Sequence, residues 1–290
     1  MKICLRGAGI EVNNNKDDKM QIFFGQQDVD YNNPDKYAFL NWRFDNAFAP
    51  YDGKGMMQLV FDNFEMGKAY MSNAALTLCS LIHSQNGNNV ADSLIFPILF
   101  SIWHGIELWL KSGIGAIYLQ EGVQKSIPLG HDLFKLRDVF ETELSNINMI
   151  CAQKYALEDV DNLISEFKRV NAHFDFARYS SDNKGNLQFY NAPFSNKNQW
   201  QCAKSDVAEY TVPNTCVDIN VLFELFFRII TNFKELIYYL TICLTEGVHA
   251  TDTGFKQFQV VGKKTDSTIE LNELDPIEKI MYLLDCFILS

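Results

Sequence analysis

From Met57 onward the chain is written mainly in the helical period. "MQLVFDNFEMGKAYMSNAALTLCSLIHS" places Leu59, Phe61, Phe64, Met66, Tyr70, Ala74, Leu78 and Leu81 mostly at three- and four-residue steps, the spacing that lines one face of a helix. "NGNN" at 86–89 ends that run with turn chemistry. A second and greasier helix is expected from Asn89 or Val90 to Gln120, with Pro97 either kinking it or opening its main body. A third is expected over "HDLFKLRDVFETEL", and a fourth over about residues 157–171. "FDFARYSSDNKGNLQFYNAPF" then alternates around "DNKG" and reads as a β-hairpin near 174–192. A long apolar helix is expected from Asp218, a short strand over "KQFQVVGK", and a terminal helix from Pro276, a favoured opening residue.

Residues 1–58 carry no such period. "NNNKDDK", "YNNPDK" and "APYDGKG" are turn-forming stretches. The expectation is a mainly α protein: a helical domain over 59–290 with a β-hairpin insertion, and an irregular N-terminal segment, 1–58, packed on it.

Charge and cysteine usage narrow the function classes. The formal net charge is -11, so a broadly basic nucleic-acid face is excluded and any phosphate ligand needs a local patch. The seven cysteines are scattered without a CxxC, which argues against a zinc knuckle or a disulfide framework. The first twenty residues hold too short an apolar stretch for a signal peptide. The greasiest segments, near 91–111 and 219–246, contain Glu107, Glu224, Arg228, Lys234 and Glu235, too many charges for membrane spans. A soluble, cytoplasmic protein with no membrane contact is expected.

Within the second helix, "SIWHGIELWLK" sets three polar residues among Ile102, Trp103, Ile106, Trp109 and Leu110. At about 100° per residue, His104, Glu107 and Lys111 fall on one side. A helix that is apolar nearly all round is buried, and its polar groups need partners. Glu107 and Lys111 stand in the favourable order for a helical ion pair, which by itself makes the stripe a structural network. His104 can bond Glu107 and be held in one tautomer. "LGHDLFKL" adds a second polar element: Gly130 breaks the chain, His131 precedes the expected helix start, and Asp132 suits its positive N-terminus. A zinc reading of His104, Glu107 and His131 has an acceptable ligand set, but Lys111 competes for the carboxylate. No metal and no cofactor are expected.

"PILFSIWHGIELWLK", "GHDLFKL" and "FDFARYSSDNKG" together resemble a group of bacterial HEPN-like proteins. Their pattern runs proline, an apolar stretch, Arg-His-x-x-Glu-Leu-x-Leu-Lys, then Gly-His-x-Leu-x-x-Leu, then Arg-Tyr-Pro. The resemblance covers about residues 57–190. It carries over Pro97, His104, Glu107, Leu108, Leu110, Lys111, Gly130, His131, Leu133, Leu136, Arg178 and Tyr179. Trp103 stands where the pattern has arginine, and Ser180 where it has proline. HEPN ribonucleases are recognised by arginine and histidine with four to six residues between them. None of the six arginines here meets that spacing, the nearest being Arg169 and His173 in "RVNAH".

The resemblance implies a HEPN-like helical bundle in a bacterial defence or stress system, dimeric, acting as a ribonuclease or as an RNA- or nucleotide-sensing effector. In that reading His104 or His131 transfers protons and Glu107 orients the histidine. Arg178 and Lys111 hold phosphate charge, and Tyr179, Arg169 and His173 contact substrate. The competing reading is a non-catalytic interaction or regulatory subunit with a protein partner from the same system. There the stripe is purely structural, Arg178 makes a salt bridge at the hairpin start, Glu224 pairs with Arg228, and the four tryptophans are core.

Overall fold

The computed structural model describes residues 55–84, 90–123, 125–170, 217–265 and 278. These lie in the unit Arg43–Ser290. The described residues form six helices and no strand: α1 (Met56–Ser84), α2 (Val90–Gln120), α3 (Leu133–Asn146), α4 (Ile150–Val170), α5 (Ile219–Thr245) and α6 (Asp252–Thr265). The mainly α class holds. The expected hairpin at 174–192 and residues 1–54 lie outside the described residues, as does the terminal helix apart from Glu278.

Helix α2 is the axis of the bundle and packs against α1, α3 and α5. Pro97 lies inside it, so one continuous helix runs through the proline. By length and composition α2 could cross a membrane, but 61% of its most apolar window is buried against the other helices. It is a core helix.

The α1–α2 contact is close because two glycines face each other. A Cβ on Gly105 would stand 2.7 Å from Met71 Cγ, and one on Gly67 would stand 2.5 Å from Trp109 Cδ1. Polar groups lock the same crossing: Trp109 Nε1 donates to the Phe64 carbonyl at 3.2 Å and Ser112 Oγ to the Val60 carbonyl at 2.9 Å. The buried stripe of α1 runs through Val60, Phe64, Met71, Ala74 and Leu78. Leu59, expected in that stripe, is 41% exposed, and its neighbour Val60 takes the inward position.

Helix α4 begins at Ile150, seven residues before the expected start, because its cap comes from far along the chain. Both carboxylate oxygens of Asp252 accept from its first turn, from Cys151 N and Ala152 N, each at 3.0 Å. Helix α6 replaces the expected strand. Thr251 caps it by accepting from Gly254 N at 3.0 Å. Phe255 and Phe258, three apart, then pack on Tyr239 of α5 with ring centroids 5.4 and 5.5 Å away. That cap and a helical-period apolar pair outweigh the β-branched Val260 and Val261, since strand propensity is weak against tertiary context.

Arg228 also finds its partner across helices. Its Nε donates to Asp159 Oδ1 of α4 at 2.8 Å, and Asn232 adds a bond to Oδ2.

Removing the Asp252 carboxylate leaves two N-terminal amides of α4 without their partner. Asp252→Ala should cost about 1–2 kcal/mol, read as a lower urea midpoint at unchanged slope; an unchanged midpoint would show the cap to be energetically neutral.

Candidate functional site

The polar stripe of α2 does converge with the loop before α3. Asp132 is the N-cap of α3, its side chain accepting from Lys135 N at 3.2 Å. The cap holds the preceding residue, His131, against α2, where its Nδ1 lies 2.9 Å from Glu107 Oε1. Lys111 Nζ donates to the same oxygen at 2.8 Å. His104 Nδ1 stands 3.5 Å from the other oxygen, Oε2. That separation is too long for a good hydrogen bond, and these two buried atoms have no hydrogen-bond partner.

The four residues differ sharply in exposure. The Glu107 side chain is 0% exposed and that of Lys111 11%, whereas His131 is 68% exposed and His104 18%. One buried carboxylate therefore faces outward through two imidazoles. The His104 ring is held by α1 and by its own helix: Tyr70 meets it edge-on at 4.6 Å and Phe100 stacks on it at 5.7 Å.

Burial pushes the Glu107 carboxyl up, but the side chains of His104 and Lys111, the Lys111 charge and the contact from His131 outweigh it and hold the group at about 2. Glu107 is thus an anion across the physiological range, able to orient a neighbouring N–H or stabilise an imidazolium.

The remaining sequence candidates sit differently. Lys111, expected to hold phosphate charge, is buried with its ammonium on Glu107; its charge is neutralised there. Arg169 lies in the last turn of α4, and its Nη1 meets both oxygens of the neighbouring Glu166 at 2.6 and 2.7 Å on the exposed face. His173, Arg178 and Tyr179 lie outside the described residues. Trp103, at the position of the pattern's arginine, is a core residue wedged between Phe134 of α3 and Phe167 of α4, 6.1 and 5.4 Å away. Among the described residues no group of three or more His, Cys, Asp or Glu is placed to hold a metal ion. Sequence reasoning missed Tyr70 and Phe100 as the cage of His104. Phe100 carried a signal, one helical turn before the histidine; Tyr70, on another helix, carried none.

The Glu107 carboxyl ionises near pH 2 in the fold against an ordinary value of 4.5. Its contribution to stability is complete above the ordinary value and is lost as pH falls through the folded value. A Glu107→Gln variant should lack this part of the acid transition. It should also lose about 3–5 kcal/mol near neutral pH, because Lys111 is left buried without its anion. Urea titrations of both proteins at pH 7 and pH 3 check this; a variant whose deficit is equal at the two values would mean that Glu107 does not titrate as described.

No family model, curated protein or solved structure matches the chain, so the reading of this site stands on its residues and their geometry.

Proposed function

We propose that the chain is a HEPN-like component of a bacterial defence or stress system that cleaves RNA without a metal ion, with His131 as a proton-transfer group. The observation that carries this reading is the Glu107–His131 contact. A fully buried, ionised carboxylate lies 2.9 Å from Nδ1 of a histidine that is itself 68% exposed. Such a carboxylate fixes the tautomer with the proton on Nδ1 and turns Nε2 outward as a base. Positioned there, Nε2 takes the proton of a ribose 2′-hydroxyl as that oxygen attacks the adjacent phosphorus. Lys111 acts through Glu107, keeping it ionised, rather than on the phosphate. The HEPN-like resemblance assigns phosphate charge to Arg178, and it brings with it an RNA or nucleotide ligand and a homodimer.

A second reading has its own support. The Glu107–Lys111 pair, at 2.8 Å and almost fully buried, is a structural bridge of the kind that a non-catalytic interaction or regulatory subunit would retain. The two readings separate in one experiment. A mixed pool of tRNA and mRNA incubated with the purified protein in EDTA should be cleaved, and folded His131→Ala should be slower by about 100-fold or more. Intact RNA with the wild-type protein, or equal cleavage by the variant, would overturn the nuclease and leave the structural bridge.

A further inference from the structure

Glu107 does not serve His131 alone. Its second oxygen faces Nδ1 of His104 at 3.5 Å, and both of those atoms are buried without a hydrogen-bond partner. A carboxylate oxygen left so in a protein interior is costly, unless a proton on the facing nitrogen draws the two groups together. The His104 ring is fixed by Tyr70 and Phe100. Since its Nδ1 surface is buried while 18% of the side chain is exposed, the exposed edge lies away from Glu107. Two imidazoles thus turn their Nδ1 atoms to one anion and their opposite edges outward.

We propose that His104 and His131 are the acid and the base of one phosphodiester transesterification, matched to each other by sharing Glu107. The proposal rests on the nuclease reading above and adds a second catalytic residue to it. The charged and titratable groups around the pair are Glu107 and Lys111 on α2, Tyr70 on α1, and Asp132, the residue after His131, which caps α3. Glu107 and Lys111 already cancel in charge. Both imidazoles are held by Nδ1 against one carboxylate, which leaves both Nε2 positions for proton transfer. One acid and one base are what the reaction requires.

The step balances as follows. Neutral His131 removes the 2′-hydroxyl proton, and O2′ forms a bond to phosphorus. The bond from phosphorus to O5′ breaks, and protonated His104 gives its Nε2 proton to O5′. The products are a 2′,3′-cyclic phosphate and a 5′-hydroxyl end, with the proton moved from His104 to His131 and returned through solvent. DNA, lacking the 2′-hydroxyl, is not a substrate.

The test separates acid from base with two oligonucleotides that each contain a single ribonucleotide. One has the ordinary 5′ oxygen as leaving group, the other a bridging 5′ sulfur, which departs as a thiolate without needing a proton. Wild-type protein should cleave both. His104→Ala should lose about 100-fold or more on the oxygen substrate and recover to within about tenfold of wild type on the sulfur substrate. His131→Ala should be defective on both. His104→Asn, checked with the others by near-ultraviolet circular dichroism, guards against a local folding defect and should behave as His104→Ala does. If folded His104 variants match wild type on oxygen, or stay equally defective on sulfur, His104 is not the acid, and the nuclease reading survives through His131. Cleavage of neither substrate by wild type overturns both.

Discussion

The described fold depends on a buried negative charge. Glu107 sits on the most apolar of the described helices with no solvent exposure, and an isolated carboxylate in such a place costs several kcal/mol. Three neighbours make it tolerable, and each ties down a different part of the chain. Lys111 lies one turn further along α2. His104 lies one turn back, against Tyr70 of α1. His131 comes from the loop that opens α3. The stability of the ion cluster and the placement of that loop are therefore one property: the loop cannot leave without taking a ligand from Glu107.

Around this cluster the bundle is closed by contacts that act at single points. Gly67 and Gly105 let α1 and α2 approach until side chains meet backbone, which brings Tyr70 to His104. Gln120, at the end of α2, donates to the Leu240 carbonyl and accepts from Ala250 N, fixing the turn between α5 and α6. Asp252, just beyond that turn, caps α4. On the outer side, Arg137 of α3 forks onto Asp161 of α4 at 2.5 and 2.6 Å and also pairs with Glu141, which holds its guanidinium well above its ordinary pKa. Most of these polar contacts join elements far apart in sequence.

That explains what could be read from the residues and what could not. The ends of α2 follow from "NGNN" and from the loss of apolar period after Gln120, and the start of α5 from Asp218, whose side chain accepts from Asn220 N and Val221 N. Those signals are local. The true start of α4 depends on a carboxylate a hundred residues away, and α6 on aromatic partners in α5, so neither is written in its own segment. The stripe of His104, Glu107 and Lys111 was legible because one-turn spacing is a local rule, and Asp132 marked where His131 would be held. The exposure of each member was not: nothing in the spacing says that Lys111 is buried beside its partner while His131 faces water.

The burial of Lys111 has a consequence for the kind of ligand the proposed site can take. The chain carries a net charge of -11, and Lys111, on the same helix face as His104, is neutralised by Glu107. Trp103, in place of the pattern's arginine, contributes packing and no charge. A polyanion approaching this face of α2 therefore gains little from the field of the whole protein and is not drawn in by a broad basic surface. In the proposed function, affinity for RNA would have to come from a few local contacts that position one phosphodiester over the histidines. Counterion release scales with the number of phosphates neutralised; a site of this kind would bind with a shallow salt dependence and discriminate by the shape and the 2′-hydroxyl of the nucleotide it holds.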